Sequence, residues 1–323
     1  MKKGGRMMKY FIKKIITLIL TLFVISFLTF IAFQIIPGDS AIKSLGTDAT
    51  PEQVEALRNQ LGLNDPMLVR YGNWLMDAIT GDFGMSLAYS LPVSTIIAER
   101  LPVTLTLALL SLVMILVLSL PLGILTSKKE KSKWEGVWQF FIQLGMAIPP
   151  FFLGILLTLI FGLLLNWFTP GGFVSWGENK LDFLAYMIFP AIAVAIPKIA
   201  MMTKFLRSSI KRQLSLDYVR TAKSKGNTMR GIMLGHVLKN ALIPVITFLA
   251  MIIAEIFAGS IIVEQVFNLP GLGRLLVAGI SNRDFPVVQA IVLYIAALVL
   301  ILNFIVDILY QVLDPRVREE VTR

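Results

Sequence analysis

The sequence predicts an all-α integral membrane protein that crosses the bilayer six times. Three observations carry that prediction. Hydrophobic residues make up 56% of the 323 residues and charged residues only 15%, whereas soluble domains average about 45–50% and about 25%. The apolar residues gather into six stretches, each near the length a helix needs to cross about 30 Å of hydrocarbon. The basic residues gather into alternate connecting segments, the pattern that orients membrane proteins.

Lys2, Lys3, Arg6, Lys9, Lys13 and Lys14 precede an uncharged run from Ile15 to Ile36. A secretory signal has a shorter apolar core, about 7–15 residues, followed by a small-residue cleavage site. Pro37-Gly38-Asp39 follows here instead, so an uncleaved first span is expected, with Met7 and Met8 as alternative starts. Residues 37–100 form a polar region with four basic and eight acidic residues. A helix is expected over Pro51–Leu61, capped by Thr50, with Val54, Leu57 and Leu61 on one face. Gly62, Asn64-Asp65-Pro66 and Gly81-Asp82-Phe83-Gly84 are turn signals. The region reads as a small ordered cap, not a linker.

Leu101–Ser127 is the second span, followed by Lys128, Lys129, Lys131 and Lys133. No charge occurs from Gly136 to Gly177, which places a third span near 138–165, broken near its middle at Pro149-Pro150. Pro150 cannot continue the hydrogen-bond ladder, and Pro149 is pushed towards extended backbone. Two readings stay open there: a packing kink, or a flexible or close-packed point beside a pathway. After a polar loop (Thr169-Pro170-Gly171-Gly172 and Glu178–Asp182), the fourth span runs over Phe183–Met202 with Pro190 and Pro197 inside it. Lys198 and Lys204, near its end, are expected to snorkel to headgroups. The fifth span is Leu242–Ile262. A glycine-rich turn, LPGLGR, lies between Glu264 and Phe285, and the sixth span is Pro286–Val306. A basic tail with Arg316, Arg318 and Arg323 ends the chain.

With six spans, the segments 1–14, 127–135, 198–241 and 306–323 hold 23 of the 30 Lys and Arg. The positive-inside rule puts these segments and both termini in the cytosol and the acidic cap outside. The net charge of +10 is thereby explained by cytoplasmic loops, and lipid, not nucleic acid, is the expected environment.

Between the fourth and fifth spans lies the most basic part of the chain, DYVRTAKSKGNTMRGIMLGHVLKNALIP from Asp217 to Pro244. Arg207, Lys211, Arg212, Arg220, Lys223, Lys225, Arg230 and Lys239 fall in it or its lead-in. Ser215 or Asp217 as cap and Gly226 as terminator predict a short helix over 217–225. A second helical stretch follows over Thr228–Ala241. A short helix held between two spans reads as a handle for a cytosolic partner; a solvated amphipathic helix on the membrane surface is the alternative.

Catalytic chemistry is not expected. The chain has no cysteine, one histidine (His236, read as structural or interfacial) and no G-x-x-x-x-G-K-[ST] phosphate loop. Gly231–Gly235 spacing is a weak packing signal. Glu255 lies near the middle of the fifth span, where an ionisable group is costly and seldom faces lipid. It either lines a pathway or makes a structural hydrogen bond. Glu264, at the outer end, is read as a rim residue. A secondary transporter or channel would call for an internal repeat or a chain of intramembrane charges. A membrane enzyme would call for a cluster of His, Asp, Glu or Cys.

Thr221-Ala222, Gly226 and Asn240-Ala241-Leu242-Ile243-Pro244 resemble the EAA loop of ABC-importer permeases. The resemblance is closer to the first-subunit permeases of the oligopeptide/dipeptide/nickel family. Arg220 and Thr221 stand where the general motif has Glu and Ala, as is usual in this branch. PGD, QLGLNDP, Tyr71, Trp74, GDFGMS, Pro92-Val93 and GSIIVEQVFNLPGLGRL extend the likeness over nearly the whole chain. It implies a type I ABC-importer permease fold: tail and first helix over 1–36, cap over 37–100, core over 101–312 with its coupling loop near 207–244, and tail over 313–323. It further implies a second related permease, two cytoplasmic ATPases that bind the ATP, and an extracytoplasmic binding protein. This chain itself would hold no cofactor or metal. The helix bearing Asp217, Tyr218, Arg220, Thr221, Ala222, Lys225 and Gly226 would couple to an ATPase. Glu255, Ser260, Glu264, Pro149 and Pro150 are the pathway candidates. Peptides, nickel and metal–chelator complexes all remain open as substrate, because the binding protein makes most of that choice.

Overall fold

The computed structural model describes residues 2–35, 50–60, 64–128 and 134–313. The expected turn at Gly62, most of the lysine loop after Ser127 and the basic tail lie outside the described residues. The described chain is helical, apart from a single antiparallel bridge between Met85 and Pro92. Its helices are α1 (Lys2–Ile35), α2 (Pro51–Gln60), α3 (Met67–Thr80), α4 (Val93–Lys128), α5 (Glu135–Ala147), α6 (Pro150–Leu157, prolonged by wide π turns over Thr158–Leu164), α7 (Lys180–Leu214), α8 (Asp217–Ser224), α9 (Met229–Ile232, then π turns over Met233–Val237), α10 (Leu238–Val266), α11 (Leu272–Ser281) and α12 (Phe285–Leu313). Among the described residues, five helical stretches are long and apolar enough to cross a membrane: Phe11–Phe33, Val93–Ser127, Lys180–Leu214, Met229–Val266 and Phe285–Ile308.

The third expected span is broken at Pro149-Pro150, as its sequence indicates: it consists of two helices, α5 and α6, turned 97° from each other. The cause is the pair of prolines. Ile148 and Pro149 are both extended, with ψ 121° and 143°, so two successive peptide units leave the helical path. Pro150 then opens α6 at a first-turn position, where its missing N–H is no loss.

The chain folds as two compact bodies. One is built mainly from Val103–Arg274, and in it α7 and α10 run antiparallel and are tied at four levels. Ser209 Oγ donates to the Ala241 carbonyl (2.8 Å). Phe205 stacks on Phe248 with centroids 4.2 Å apart and planes at 6°. Lys198 pairs with Glu255. Tyr186 donates to the Phe267 carbonyl (2.8 Å). Helix α7 overruns the predicted fourth span at its C-terminal end and carries Pro190 and Pro197 internally. Its start is fixed by Asn179, whose side chain accepts from the Leu181 and Asp182 amides (3.0 and 3.3 Å). Lys198 therefore sits inside a long helix, not near a span end, and its expected snorkelling is replaced by the ion pair with Glu255.

The second body comprises 7–102 and 275–300. Thr50 caps α2 as expected, reciprocally with Gln53: the Thr50 amide donates to Gln53 Oε1 (3.0 Å) and the Gln53 amide to Thr50 Oγ1 (3.3 Å). Of the expected apolar face, Val54 is half-buried, while the Leu57 side chain and Leu61 lie outside the described residues. Helix α3 packs along α1: Tyr71 is buried against Phe23, Phe27 and Phe30, and its hydroxyl meets Ser26 Oγ at 2.8 Å. Asp284, wholly buried, holds the turn before α4. It accepts from the Ser86 hydroxyl (2.5 Å) and the Leu87 and Ala88 amides (3.2 and 3.1 Å).

Candidate functional site

The handle is present. Helix α8 starts after Leu216, which is extended and offers no side-chain cap. Neither expected cap acts: Ser215 Oγ donates back to the Arg212 carbonyl (2.9 Å), and Asp217 is the first helical residue, where its charge suits the helix N-terminus. Val219 is the buried residue of α8, while Asp217, Arg220, Thr221, Ser224 and Lys225 are exposed. Arg220 and Asp217 approach to 3.5 Å but are 83% and 92% exposed, a geometry that contributes little. Tyr218 and Ala222 are half-buried, and the Tyr218 hydroxyl meets Gln213 Oε1 at 3.1 Å. Gly226 ends the motif with φ +82°, the left-handed conformation expected of a terminating glycine. Thr228 then caps α9, accepting from the Gly231 amide (3.2 Å). The second stretch, expected to lead into the fifth span, is continuous with it through the π turns of 233–237.

The lead-in is strapped down by groups the sequence reading missed. Arg207 is buried and pairs with Glu135, the first residue of α5, and Lys211 lies 3.6 Å from the same carboxylate. The available signal was Glu135 itself, an acidic residue closing a lysine-rich loop.

A groove of about 830 Å³ opens beside the handle. Phe205 and Arg212 of α7, Tyr218 of α8, and Asn240, Phe248 and Met251 of α10 line it. On α7, Phe205 lines it seven residues before Arg212, which Gln213 follows, and on α10 the lining recurs every three or four residues from Asn240 to Met251, so each helix presents one face to the groove.

The pathway candidates separate. Pro149 and Pro150 mark the helix break. Ser260 is buried and donates to its own helix at the Phe257 carbonyl (2.8 Å). Glu255 is a third exposed and paired with Lys198, so a second ionisable group shares the apolar interior. Glu264 is not at an exposed rim; it is wholly buried. Its carboxylate accepts from the Thr104 hydroxyl (2.7 Å) and the Arg274 amide (3.0 Å), and Thr104 Oγ1 in turn accepts from the Leu272 amide (2.8 Å). The LPGLGR turn is wrapped onto this carboxylate at the start of α11. That close wrapping explains its glycines: a Cβ on Gly271 would lie 2.4 Å from Glu264 Cδ, and one on Gly273 2.5 Å from Ile261 Cα.

Long apolar helices, with a short exposed basic helix between two of them, define a polytopic membrane subunit. Family comparison agrees. Residues 119–319 match the family described as binding-protein-dependent transport system inner membrane component, and residues 7–108 match its N-terminal companion. The chain belongs to this family: it is a multi-pass cell-membrane permease of a binding-protein-dependent ABC transporter. It is 38% identical over 307 residues to a Brucella abortus (strain 2308) protein whose name places it among peptide transport system permeases, covering 95% of this chain and 98% of the relative. It is 37% identical over 314 residues to the oligopeptide transport system permease protein AppB of Bacillus subtilis (96% and 99% covered). Its identity to the glutathione transport system permease protein GsiC of Escherichia coli K12 is 36% over 313 residues (97% and 99% covered).

Proposed function

We propose that the chain forms one half of a translocation pathway for peptides, and that α8 with Lys225 and Gly226 docks on a cytoplasmic ATPase. The observation that carries this reading is the handle itself. It is a short exposed helix, fastened through Val219, and it sits between two long apolar helices. Val219 fixes its orientation. Asp217, Arg220, Thr221 and Lys225 are left on the free side, and Ala222 keeps that face low enough for a close-fitting groove.

The partners are two ATPases, a second related permease that completes the pathway, and a binding protein that meets the 37–100 region. The basic segments lie in the cytosol with both termini, and α5 with α6 makes one crossing, for six in all. The names of the relatives favour peptides over the nickel alternative. ATP binding and hydrolysis occur in the partners; this chain transmits rigid-body motion.

The test is uptake into proteoliposomes holding the complete complex. Peptide uptake should require both ATP and the binding protein; uptake without ATP would favour the channel reading. Ala222→Arg should abolish stimulation of ATP hydrolysis by the binding protein, and Tyr218→Cys should crosslink to a cysteine in the ATPase groove. A fully active Ala222→Arg complex, with no crosslink from any position between Asp217 and Gly226, would defeat the docking assignment.

A further inference from the structure

The apolar stretches of α1 and α12 end at one level. Phe33, the last residue of one, and Phe285, the first of the other, meet with ring centroids 5.4 Å apart. Helix α3 lies inside that level. Its Tyr71 packs edge-on against Phe23, Phe27 and Phe30 of α1 (centroids 5.8, 5.1 and 5.4 Å apart), and its Trp74 packs on Phe30 (5.9 Å). Phe30 and Phe23 precede Phe33 by three and ten residues. These contacts therefore lie about 5–15 Å inside the apolar stretch, at 1.5 Å per residue. Helix α12 gives an independent measure. Phe83, just past the Gly81 turn that ends α3, is buried and packs on Tyr294 (5.3 Å). Tyr294 is nine residues beyond Phe285, about 14 Å inside by the same rise. Two spans thus place α3 within one half of a hydrocarbon core about 30 Å thick.

The surface of α3 is divided to match. At 3.6 residues per turn its side chains fall into three arcs. Tyr71, Trp74 and Ala78 share the arc turned to α1. Arg70, Asn73, Asp77 and Thr80 form a polar arc on one flank. Leu68, Met76 and Ile79 form an apolar arc on the other, and they are 71%, 66% and 72% exposed. A helix half covered by a neighbour has no reason to keep such a flank apolar in water. Helix α1 is also apolar and exposed at nearby levels, through Leu20, Val24 and Leu28. The free flank of α3 therefore belongs to the same apolar zone as the first span beside it.

We propose that α3 is an interfacial membrane helix. Its apolar flank rests among the acyl chains of the outer leaflet, and its polar flank turns to the headgroups. The phospholipid bilayer, and not the binding protein, covers Leu68, Met76 and Ile79. The depth follows from the packing on α1 and α12; the choice of leaflet rests on the cytosolic N-terminus proposed above. The region between the first two spans is then moored in the membrane, held to α1 through Tyr71 and to α12 through Phe83.

The chain has no cysteine, so Leu68→Cys, Met76→Cys and Asn73→Cys each give a single site for a bimane label in the complete complex, reconstituted in phosphatidylcholine vesicles. Phosphatidylcholine brominated on its acyl chains should quench the labels at 68 and 76 several-fold more than the label at 73. Aqueous iodide should do the reverse, and adding the binding protein should change neither pattern at 68 and 76. Iodide quenching at 68 and 76 equal to that at 73 would put the flank in water and overturn the proposal. Protection of 68 and 76 from both quenchers would show that protein covers the flank and would overturn it equally. In intact cells a membrane-impermeant maleimide should label Asn73→Cys. Labelling of Asn73→Cys only from the cytosolic side would instead overturn the topology on which the leaflet rests, and the quenching result would still decide the depth.

Discussion

Replacing Glu264 by alanine should break the clasp that holds the LPGLGR turn, and the structure sets the scale. The change removes the acceptor for the Thr104 hydroxyl (2.7 Å) and for the Arg274 amide (3.0 Å), in a site with no exposure. A buried donor left without an acceptor costs about 1–3 kcal/mol, so two cost about 2–6 kcal/mol. Thr104 is held in place by the Leu272 amide (2.8 Å) and cannot simply turn away. Gly271 supplies an internal control. Alone, Gly271→Ala drives a methyl to within 2.4 Å of the carboxylate carbon and should destabilise. In the Glu264→Ala background that obstruction is gone, so the second substitution should cost far less than it does alone. The assay is thermal inactivation of the purified complex, read by size-exclusion recovery after heating, for the two single variants and the double. Strictly additive losses would refute the clasp. A Glu264→Ala complex of full stability that no longer transports would restore Glu264 to the pathway.

Two further substitutions test other joints. Gly226→Val forces a β-branched residue to φ +82°, a cost of about 1–2 kcal/mol or more; binding-protein-stimulated ATP hydrolysis should fall while permease yield holds, and an unchanged rate would detach Gly226 from coupling. Asp284→Ala leaves the Ser86 hydroxyl and the Leu87 and Ala88 amides without their acceptor, so protease cleavage within 86–91 should accelerate sharply; wild-type resistance would show that the turn does not depend on Asp284.

What the sequence disclosed was governed by local rules. Apolar runs, the Thr50 box, the α8 helix and the positive φ at Gly226 each follow from residues close together in the chain, and the structure has them. The misreadings concern partners far apart. Lys198 looked like a headgroup residue because its distance to the end of the apolar run was short, yet α7 continues to Leu214 and Glu255 lies across from it. Glu264 looked like a rim because it falls where the apolar run ends; its true neighbour, Thr104, is 160 residues away. The Pro149-Pro150 break was legible, but its angle was not: a residue pattern says that a ladder stops, not that the two helices turn by 97°. Asp284 and Ser86, 198 residues apart, carried no local signal at all.

These long-range ties bear on how a push at the handle travels inward. Helix α8 joins the end of α7 to the start of the α9–α10 stretch, so a load on it acts on both at once. Three of the four ties between α7 and α10 are neutral: the Ser209 bond nearest the handle, the Phe205–Phe248 stack, and the Tyr186 bond at the far end. No charged solute has reason to compete for them, so they keep the two helices moving as a unit. The remaining tie, Lys198–Glu255, is ionic and partly exposed. A hairpin tied at four levels along its length can transmit motion from the handle as one rigid body.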